Sequence, residues 1–323
     1  MTAPVKVVSI VGPGRSGSTL LAQILGEIPG FLNVGELRWL WQRGLLEQRP
    51  CGCGLPPARC PQWSEVVRKA LGDVITEPGQ ALPSQRIAEI VAVQRRVAAR
   101  SRRVHVVRSA DRETGASRDV VQLRSHTADL IDAIAATTGA RVVIDASKRP
   151  VDAAVLGGLR SVDHYVLHLV RDPRAVAFSW GRVKPLPTVD GRRGDMAKRS
   201  LTHSAGRWLE SNLGCELLCR HVPASRWLAV RYEDFVVAPE AELRRVCTWL
   251  GEREVPAMGD GATVRLHANH TVAGNPRRFT IGEVSIRADD EWARAMSRRR
   301  QAVVASLTLP LLLRYRYPVL VPG

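Results

Sequence analysis

Residues 12–19, Gly-Pro-Gly-Arg-Ser-Gly-Ser-Thr, have the residue types and spacing of a loop that binds a phosphate-like anion. An apolar run typical of a buried strand precedes them, and a run typical of a helix follows. Such a turn points several backbone N–H groups at one oxyanion, and its glycines allow positive φ and close approach to the ligand. The predicted anion-binding residues are Gly14, Arg15, Ser16, Gly17, Ser18 and Thr19.

This loop lacks the lysine of a nucleoside-triphosphate site. Gly12, Gly17 and Thr19 have the spacing of such a site, but Ser18 occupies the position of the lysine that bridges the phosphates. The cation of the loop is Arg15 instead. A triphosphatase without that lysine loses its main contact to the outer phosphates, so the loop favours a different anion. A glycine-rich turn without any ligand is the alternative.

A second segment can bind a separate phosphate. Arg171 follows a strand-like run at residues 162–170, and Pro173 suits the first turn of a helix. Ser179 then falls about two helical turns after Arg171. An arginine and a serine placed in this way can hold a phosphate by charge-assisted hydrogen bonds. A helix-capping Arg-Asp-Pro with an incidental serine is the alternative for this segment alone.

Together and in this order, the two segments resemble the 5′-phosphosulfate loop and the 3′-phosphate motif of sulfotransferases that use 3′-phosphoadenosine-5′-phosphosulfate (PAPS). That family shows an arginine and a serine separated by seven residues, as in Arg171 and Ser179. The resemblance extends over residues 5–318. It implies PAPS as the sulfonate donor, a hydroxyl or amine as the acceptor, in-line transfer and no metal.

The resemblance also implies the catalytic groups. The Gly-Glu pair at residues 35–36 is similar to an element that carries a catalytic glutamate, so Glu36 would be the general base. Lys148 is similar to a family lysine near the sulfonate, and with Arg15 it would stabilise the charge that develops during transfer. The alternatives are a salt bridge between Glu36 and Arg38, and a solvated helix start at Lys148.

Two further segments resemble the family. Residues 274–278, Gly-Asn-Pro-Arg-Arg, are similar to a loop that closes over the nucleotide. Arg278 fits the family position for a 3′-phosphate contact, and Arg277 is its adjacent competitor. Residues 231–234, Arg-Tyr-Glu-Asp, resemble a segment whose expected role is structural.

The elements that must position these residues alternate between strand-like and helical patterns. This alternation predicts an α/β fold, a P-loop-like doubly wound parallel sheet with helices on both faces. The carboxyl ends of its strands would bring the 12–19 loop, Lys148 and Arg171 to one edge. The candidate strands are residues 5–11, 141–145, 164–170 and 227–230.

The whole chain, residues 1–323, is predicted to form a single sulfotransferase domain. Residues 62–138 lack a strand pattern and carry apolar residues at helical spacing. We expect a helical insertion over the acceptor side of the sheet. Residues 184–199, which contain prolines and glycines, are the candidate for a mobile lid.

The charge of the chain indicates its partners. It carries 47 lysines and arginines against 31 aspartates and glutamates, a net charge of +16. Part of this excess would hold the multiply charged donor. Four Phe and four Tyr offer little surface for stacking bases, so we expect no nucleic-acid partner. The expected acceptors are a glycolipid, a glycan or a small metabolite.

The expected location is the cytoplasm. No run approaches the ~20 apolar residues that span a bilayer, and the N-terminal segment contains the anion loop itself, so it does not read as a removable signal peptide. The apolar run at residues 307–313 is predicted to be a core element. Its alternative is a peripheral contact with the inner face of the membrane, since an anionic surface would attract the basic chain.

Three of the six cysteines, Cys51, Cys53 and Cys60, lie close together. A metal site needs a fourth ligand, and no cysteine or histidine nearby in the sequence supplies one. The sequence therefore predicts a tight structural loop, with redox sensitivity as an alternative, and no metal. Cys215 and Cys219 lie four apart on a predicted helix, where packing is the favoured role.

Two other classes of function stay open. One is a nucleotide kinase or phosphotransferase with a degenerate loop, which binding of Mg²⁺ and ATP would favour and the absent lysine disfavours. The other is a non-catalytic protein of the PAPS-binding fold, which the presence of Glu36 and Lys148 disfavours.

Overall fold

A five-stranded parallel sheet forms the centre of the fold, in the strand order β2-β3-β1-β4-β5. The computed structural model describes residues 4–72, 83–111, 115–182 and 198–320. The strands are β1 (Val5–Val11), β2 (Phe31–Gly35), β3 (Val142–Lys148), β4 (Val162–Val170) and β5 (Trp227–Arg231). A separate antiparallel pair consists of β6 (Thr263–Leu266) and β7 (Gly282–Ser285).

Helices connect the strands and cover the sheet. They are α1 (Ser18–Leu25), α2 (Pro61–Leu71), α3 (Ser84–Val97), α4 (Arg103–Arg108), α5 (Arg118–Thr138), α6 (Pro150–Gly157), α7 (Pro173–Gly181), α8 (Leu201–Cys219), α9 (Tyr232–Val237), α10 (Pro239–Trp249), α11 (Glu291–Ala295) and α12 (Arg298–Arg314). Shorter turns are the 3₁₀ helices Leu37–Trp39, Ala224–Arg226 and Pro276–Phe279 and the π-helix Leu40–Leu46.

Strand β1 is buried on both of its faces, as a central strand of a parallel sheet must be. Because side chains alternate along a strand, Val8 and Ile10 pack in the core that contains α1, α9 and α10. Val7 points the other way, into the core that contains α2, α3 and α5. The prediction of an α/β fold with a parallel sheet and helices on both faces is confirmed.

The predicted strands correspond to four of the five strands of the sheet. Their bounds differ by at most three residues, the largest difference being at the end of β3, which continues to Lys148. The sequence analysis missed β2, a short edge strand that contains Asn33 and ends at Gly35. The side chain of Asn33 accepts a hydrogen bond from the Gly35 N–H at 3.0 Å, which fixes the turn toward the next residue, Glu36.

Within the described part of residues 62–138, the chain is helical and contains no strand, as predicted. Helix α5 packs against α2 and α3, while α4 packs against α6 and α8. The segment around α4 brings Arg100 and Arg103 to the edge of the cleft described below. Of the predicted lid, residues 184–197 lie outside the described residues.

Strand β4 carries two histidines with lowered pKa values; His168 is buried and His164 is partly exposed. Burial lowers the pKa of His164 to about 4, and its Nε2 lies 2.9 Å from the hydroxyl of Ser9. Burial also lowers the pKa of His168 to about 4, and its Nε2 lies 2.9 Å from the Asn212 Oδ1. His168 packs in the interior, and neither ring lines the cleft.

The C-terminal helix α12 packs on α7 and α8. Leu311 and Leu312 are buried there, whereas Leu307 and Leu313 are about half exposed. The run at residues 307–313 thus contributes to the core on one side only. In the described ranges of the chain, no helix is both long and apolar enough to cross a bilayer.

Candidate active site

A cleft of about 1150 Å³ opens at the carboxyl ends of the central strands. Because β3, β1 and β4 are adjacent, Lys148 at the end of β3 and Arg171 after β4 lie on either side of the 12–19 loop. The Gly12 N–H donates to the Lys148 carbonyl at 3.0 Å, which joins two of these segments directly. Twelve arginine or lysine residues and three carboxylates line the cleft. Its surface is therefore suited to an anion.

The 12–19 loop ends at the N-terminus of α1, where Gly17 is the N-cap with φ 89°. A Cβ at Gly17 would lie 2.5 Å from the Tyr232 ring, so only glycine fits. No side chain caps this helix, and no acidic residue lies in its first turn. The first bond of the helix runs from the Leu21 N–H to the Gly17 carbonyl. The preceding N–H groups can therefore bind an anion.

Five of the six predicted loop residues line the cleft: Gly14, Arg15, Gly17, Ser18 and Thr19. Ser16 does not. Its hydroxyl is buried and donates to the Pro13 carbonyl at 2.8 Å, an internal brace of the loop. Arg15 has φ 75°, in the left-handed region, and its guanidinium lies 5.2 Å from the Trp180 ring centre.

Arg171 is 5% exposed and already has several partners. Its guanidinium donates to the Arg15 carbonyl at 3.1 Å and to the Asp289 carbonyl at 3.0 Å, and it lies 4.4 Å from the Tyr232 ring centre. Its Nε is buried and has no hydrogen-bond partner among the residues described. Buried donors are rarely left in this state without a ligand or water. Ser179, buried in α7, lines the same cleft.

Glu36 and Lys148 form an ion pair in the floor of the cleft. The Lys148 ammonium also donates to the Ala146 carbonyl at 3.1 Å, and the backbone of Lys148 has φ 71°. Burial raises the pKa of Glu36, but the Lys148 ammonium and two nearby guanidinium groups outweigh this effect, so that the pKa lies below its ordinary value. The carboxylate is therefore ionised at neutral pH and can accept a proton.

Buried hydrogen bonds fix the backbone after Glu36 to strand β3. The Leu37 N–H donates to the Asp145 carboxylate at 3.1 Å, and the Arg38 N–H donates to the Ser147 hydroxyl at 3.3 Å. Burial raises the pKa of Asp145 to about 6. Since β3 also carries Lys148, these bonds hold the two members of the ion pair in one position.

Arg38 does not pair with Glu36. It forms a salt bridge of 3.0 Å with Asp152, and its guanidinium stacks 3.8 Å from the Trp39 ring centre. Arg43, in the π-helix, lies 3.7 Å from the same ring. This Trp39 cluster beside Glu36 was not predicted from the sequence. The closeness of two arginines to one tryptophan in the sequence was the only pattern that could have indicated this cluster.

The two adjacent arginines of the 274–278 segment differ in their surroundings. Arg277 lines the cleft. Arg278 is buried and donates to the carbonyls of Thr271 at 2.7 Å and Pro50 at 2.6 Å. Burial lowers the pKa of Arg278 to about 10. Arg277 thus faces the cleft itself, whereas Arg278 lines a small adjoining pocket with Glu36 and Lys148.

The segment at residues 231–234 packs against the anion loop and against the turn that follows β4. The Tyr232 ring packs against Gly17 and against the Arg171 guanidinium. The Glu233 carboxylate accepts hydrogen bonds from the Asp172 N–H at 3.0 Å and from the Tyr317 hydroxyl at 2.6 Å. These contacts fix the turn that follows β4.

Side chains that could hold a metal ion form one group in the part of the chain that the structure describes, and it lies outside the cleft. It consists of Cys51, Cys53, Cys60 and His270. No cysteine or histidine near the three cysteines in the sequence is a fourth candidate ligand, whereas the fold brings His270 to them from a distant segment.

Comparison with known proteins gives one family and a common fold. The model described as "Sulfotransferase family" matches residues 8–256. The sulfotransferase domain of the Synechococcus PCC 7002 olefin synthase has a similar structure, with a TM-score of 0.50 and 20% identity, covering 100% of this chain and 98% of that one. No curated protein matches the sequence at significant similarity.

Two further solved structures are more distant. The sulfotransferase domain of the curacin biosynthetic pathway is 17% identical, with a TM-score of 0.47, covering 98% of this chain and 100% of that one. Retinol dehydratase in a complex with retinol and PAP is 12% identical, with a TM-score of 0.37, covering 100% of this chain and 85% of that one.

Proposed function

This chain belongs to the sulfotransferase family, and we propose that it transfers the sulfonate group of PAPS to a hydroxyl or amine of an acceptor. The observation that carries the proposal is the meeting of three segments at one cleft. The 12–19 loop, Lys148 and Arg171 come from adjacent strand ends and share a cleft with a large excess of cationic side chains. Ser18 in place of a lysine disfavours a triphosphate.

The donor would be held at both of its charged ends. In the proposal, the N–H groups and hydroxyls of residues 14–19 bind the 5′-phosphosulfate, with Ser16 bracing the loop rather than contacting the ligand. Arg171 and Ser179 bind the 3′-phosphate. The unpartnered Nε of Arg171 supports this role, since an anion would supply the missing acceptor. Arg277 takes the contact first predicted for Arg278, because it lines the cleft.

The chemical step is an in-line displacement at sulfur. The acceptor oxygen or nitrogen forms a bond to sulfur while the bond from sulfur to the bridging oxygen breaks. The electron pair of that bond stays on the departing 3′-phosphoadenosine-5′-phosphate (PAP). Glu36 takes the acceptor proton, and Lys148 and Arg15 stabilise the negative charge on the sulfonate and on the leaving oxygen.

The cleft has room for more than the donor. Ligand pockets have volumes of about 300–1,000 Å³, and this one reaches about 1150 Å³. Its wall includes the Trp39 cluster, Arg100 and Arg103. This wall favours a polar or anionic acceptor such as a glycan, a glycolipid headgroup or a small metabolite. Contact with a membrane surface stays a prediction.

Binding of PAP and ATP tests the proposal. Calorimetry is expected to give much tighter binding of PAP than of ATP, with no requirement for Mg²⁺. Incubation with radiolabelled PAPS and fractionated lipids, glycans and small molecules is then expected to yield a labelled product. Equal affinity for the two nucleotides or a strict Mg²⁺ requirement would favour a phosphotransferase. Binding of PAP without a labelled product in any fraction would favour the non-catalytic alternative.

Lys148→Ala is expected to lower kcat by about 10²–10³-fold, the typical effect of removing one preorganised charge at the reacting centre. Donor affinity should change much less, because the lysine acts mainly in the transition state. Loss of the ammonium should also raise the pKa of Glu36 and move the acidic limb of the pH–rate profile to higher pH. Lys69→Ala, at an exposed salt bridge with Glu65, is the control.

Weaker donor binding with an unchanged kcat would make Lys148 a ground-state phosphate contact. Unchanged kinetics and an unchanged pH profile would exclude both roles.

A further inference from the structure

Four side chains of metal-ligating types meet outside the cleft. The ligand atoms of Cys51, Cys53, Cys60 and His270 all lie within 4.8 Å of one another. The Cys51 Sγ is 3.3 Å from the Cys53 Sγ and 3.7 Å from the Cys60 Sγ. The His270 Nδ1 is 3.1 Å from the Cys60 Sγ and 3.8 Å from the Cys51 Sγ. All three cysteines are free thiols.

These separations suit a metal ion with tetrahedral coordination. Zinc bound by thiolate at about 2.3 Å and by imidazole at about 2.0–2.1 Å places neighbouring ligand atoms roughly 3.5–3.8 Å apart. The four measured separations bracket this range, so small shifts would complete the site. We propose that Cys51, Cys53, Cys60 and His270 bind a structural zinc ion as a Cys₃His site. Four protein ligands leave no open position for substrate, as in other structural zinc sites.

Backbone hydrogen bonds fix the conformation of the loop that carries the cysteines. The Cys51 N–H donates to the Leu55 carbonyl at 2.8 Å, and the Gly54 N–H donates to the Cys51 carbonyl at 2.9 Å. Cys60 is the N-cap of α2, so the start of this helix fixes its position. Cys51 and Cys60 are fully buried, whereas Cys53 and His270 are partly exposed. An ion can therefore enter from the solvent.

The ligand from the distant segment is held in place by its own contacts. The Trp63 indole donates to the His270 carbonyl at 2.5 Å. The Gly52 N–H donates to the Thr271 carbonyl at 2.8 Å. The Arg278 guanidinium donates to the Thr271 and Pro50 carbonyls and therefore lies beside the site. Three thiolates and one zinc ion would carry a net negative charge, which this guanidinium would offset. Such outer contacts orient metal ligands and tune their charge.

The zinc would join two segments that are far apart in sequence. Residues 51–60 follow the π-helix of the Trp39 cluster, and His270 precedes the segment that carries Gly274 and Arg277 to the cleft. A Cβ at Gly274 would lie 3.5 Å from the Glu36 Oε1. The metal would hold this segment against Glu36. Zinc binding would stabilise the fold of these two segments and does not depend on the proposed sulfonate transfer.

Metal analysis of the full-length chain tests the site. After purification under reducing conditions, without chelator and with any histidine tag removed, mass spectrometry of the metals is expected to find about one zinc per chain. Cys60→Ser and His270→Gln should each reduce zinc to background and lower the thermal midpoint. Cys219→Ser, on α8, and His267→Gln, three residues before His270 and exposed, are the matched controls and should keep the metal.

If the variants do not fold, loading the wild-type chain with Co²⁺ in place of zinc still tests the site. The wild-type chain loaded with Co²⁺ should show the visible bands of tetrahedral thiolate coordination, and zinc should remove them. Zinc at background in the reduced wild type, together with no cobalt spectrum, would overturn the proposal. An intact mass lower by two hydrogens, assigned to a disulfide among the three cysteines, would overturn it as well. Neither measurement uses the donor or an acceptor, so a failure of the proposed activity would leave both results unchanged.

Discussion

Replacing Glu36 by glutamine is expected to lower turnover by about 10²–10⁴-fold while leaving donor affinity nearly constant. Glutamine keeps the size and hydrogen-bonding shape of the side chain but cannot take the acceptor proton. In the wild type, the Lys148 ammonium and nearby guanidinium groups outweigh burial and hold the pKa of Glu36 below its ordinary value. Activity should therefore be retained at neutral pH and lost as the pH falls through that lowered pKa.

Single-turnover kinetics with labelled PAPS, alongside calorimetry with PAP, would separate the two effects. Glu47→Gln is the matched control, because Glu47 ends the neighbouring π-helix and pairs with Arg49 outside the cleft. Turnover of the Glu36 variant within a few-fold of the wild type would assign the proton to another group or to water. A variant that also lost its acidic pH limb would confirm the glutamate as the titrating base.

Arg171→Ala is expected to weaken PAP binding by about 2–5 kcal/mol, the cost of leaving a buried phosphate without its partner. This corresponds to roughly 30- to 4,000-fold in Kd. The guanidinium is almost fully buried, and its Nε has no other acceptor in the described residues. The effect should appear in calorimetry as a loss of affinity without a change in stoichiometry.

A ligand without the 3′-phosphate isolates this contact. Adenosine 5′-monophosphate is expected to bind the wild type and the Arg171 variant with similar affinity. Arg182→Ala is the control, because Arg182 follows α7 and forms an exposed salt bridge with Glu291. If the variant lost as much affinity for the monophosphate as for PAP, Arg171 would act by supporting the Arg15 carbonyl and Asp289 rather than by binding the 3′-phosphate.

The sequence was most informative where the candidate functional residues come directly after a strand. The 12–19 loop, Lys148 and Arg171 each follow a strongly apolar strand, and parallel strands bring their carboxyl ends together. Glu36 could be placed only through a family resemblance. Its strand, β2, is short, contains Asn33 and lies at the edge of the sheet. Such a strand has no periodic pattern strong enough to be recognised.

The two adjacent arginines could not be separated from sequence because their local structure is a tight turn. Residues Pro276–Phe279 form a 3₁₀ helix, in which successive side chains point about 120° apart. One arginine therefore faces the cleft and its neighbour faces the Pro50 carbonyl. Which one does so depends on how this turn docks against the rest of the fold.

His270 was missed for a different reason. It is 210 residues from Cys60, with which it is in contact. The spacing rules that identify metal sites apply to ligands on one loop or one short motif. A ligand that arrives from another part of the chain leaves no pattern beside the cysteines.

The backbone of Lys148 and Arg15 is held in a conformation that favours glycine, with φ of 71° and 75°. For a residue with a Cβ this conformation costs about 1–2 kcal/mol. The chain thus gives up conformational stability at the two positions where a cation faces the anion loop. Folding stability alone would favour glycine at both positions, so the two cationic side chains oppose the local preference of the backbone. Stability and charge placement oppose each other here, and variants selected only for heat resistance would be drawn toward losing these two cations.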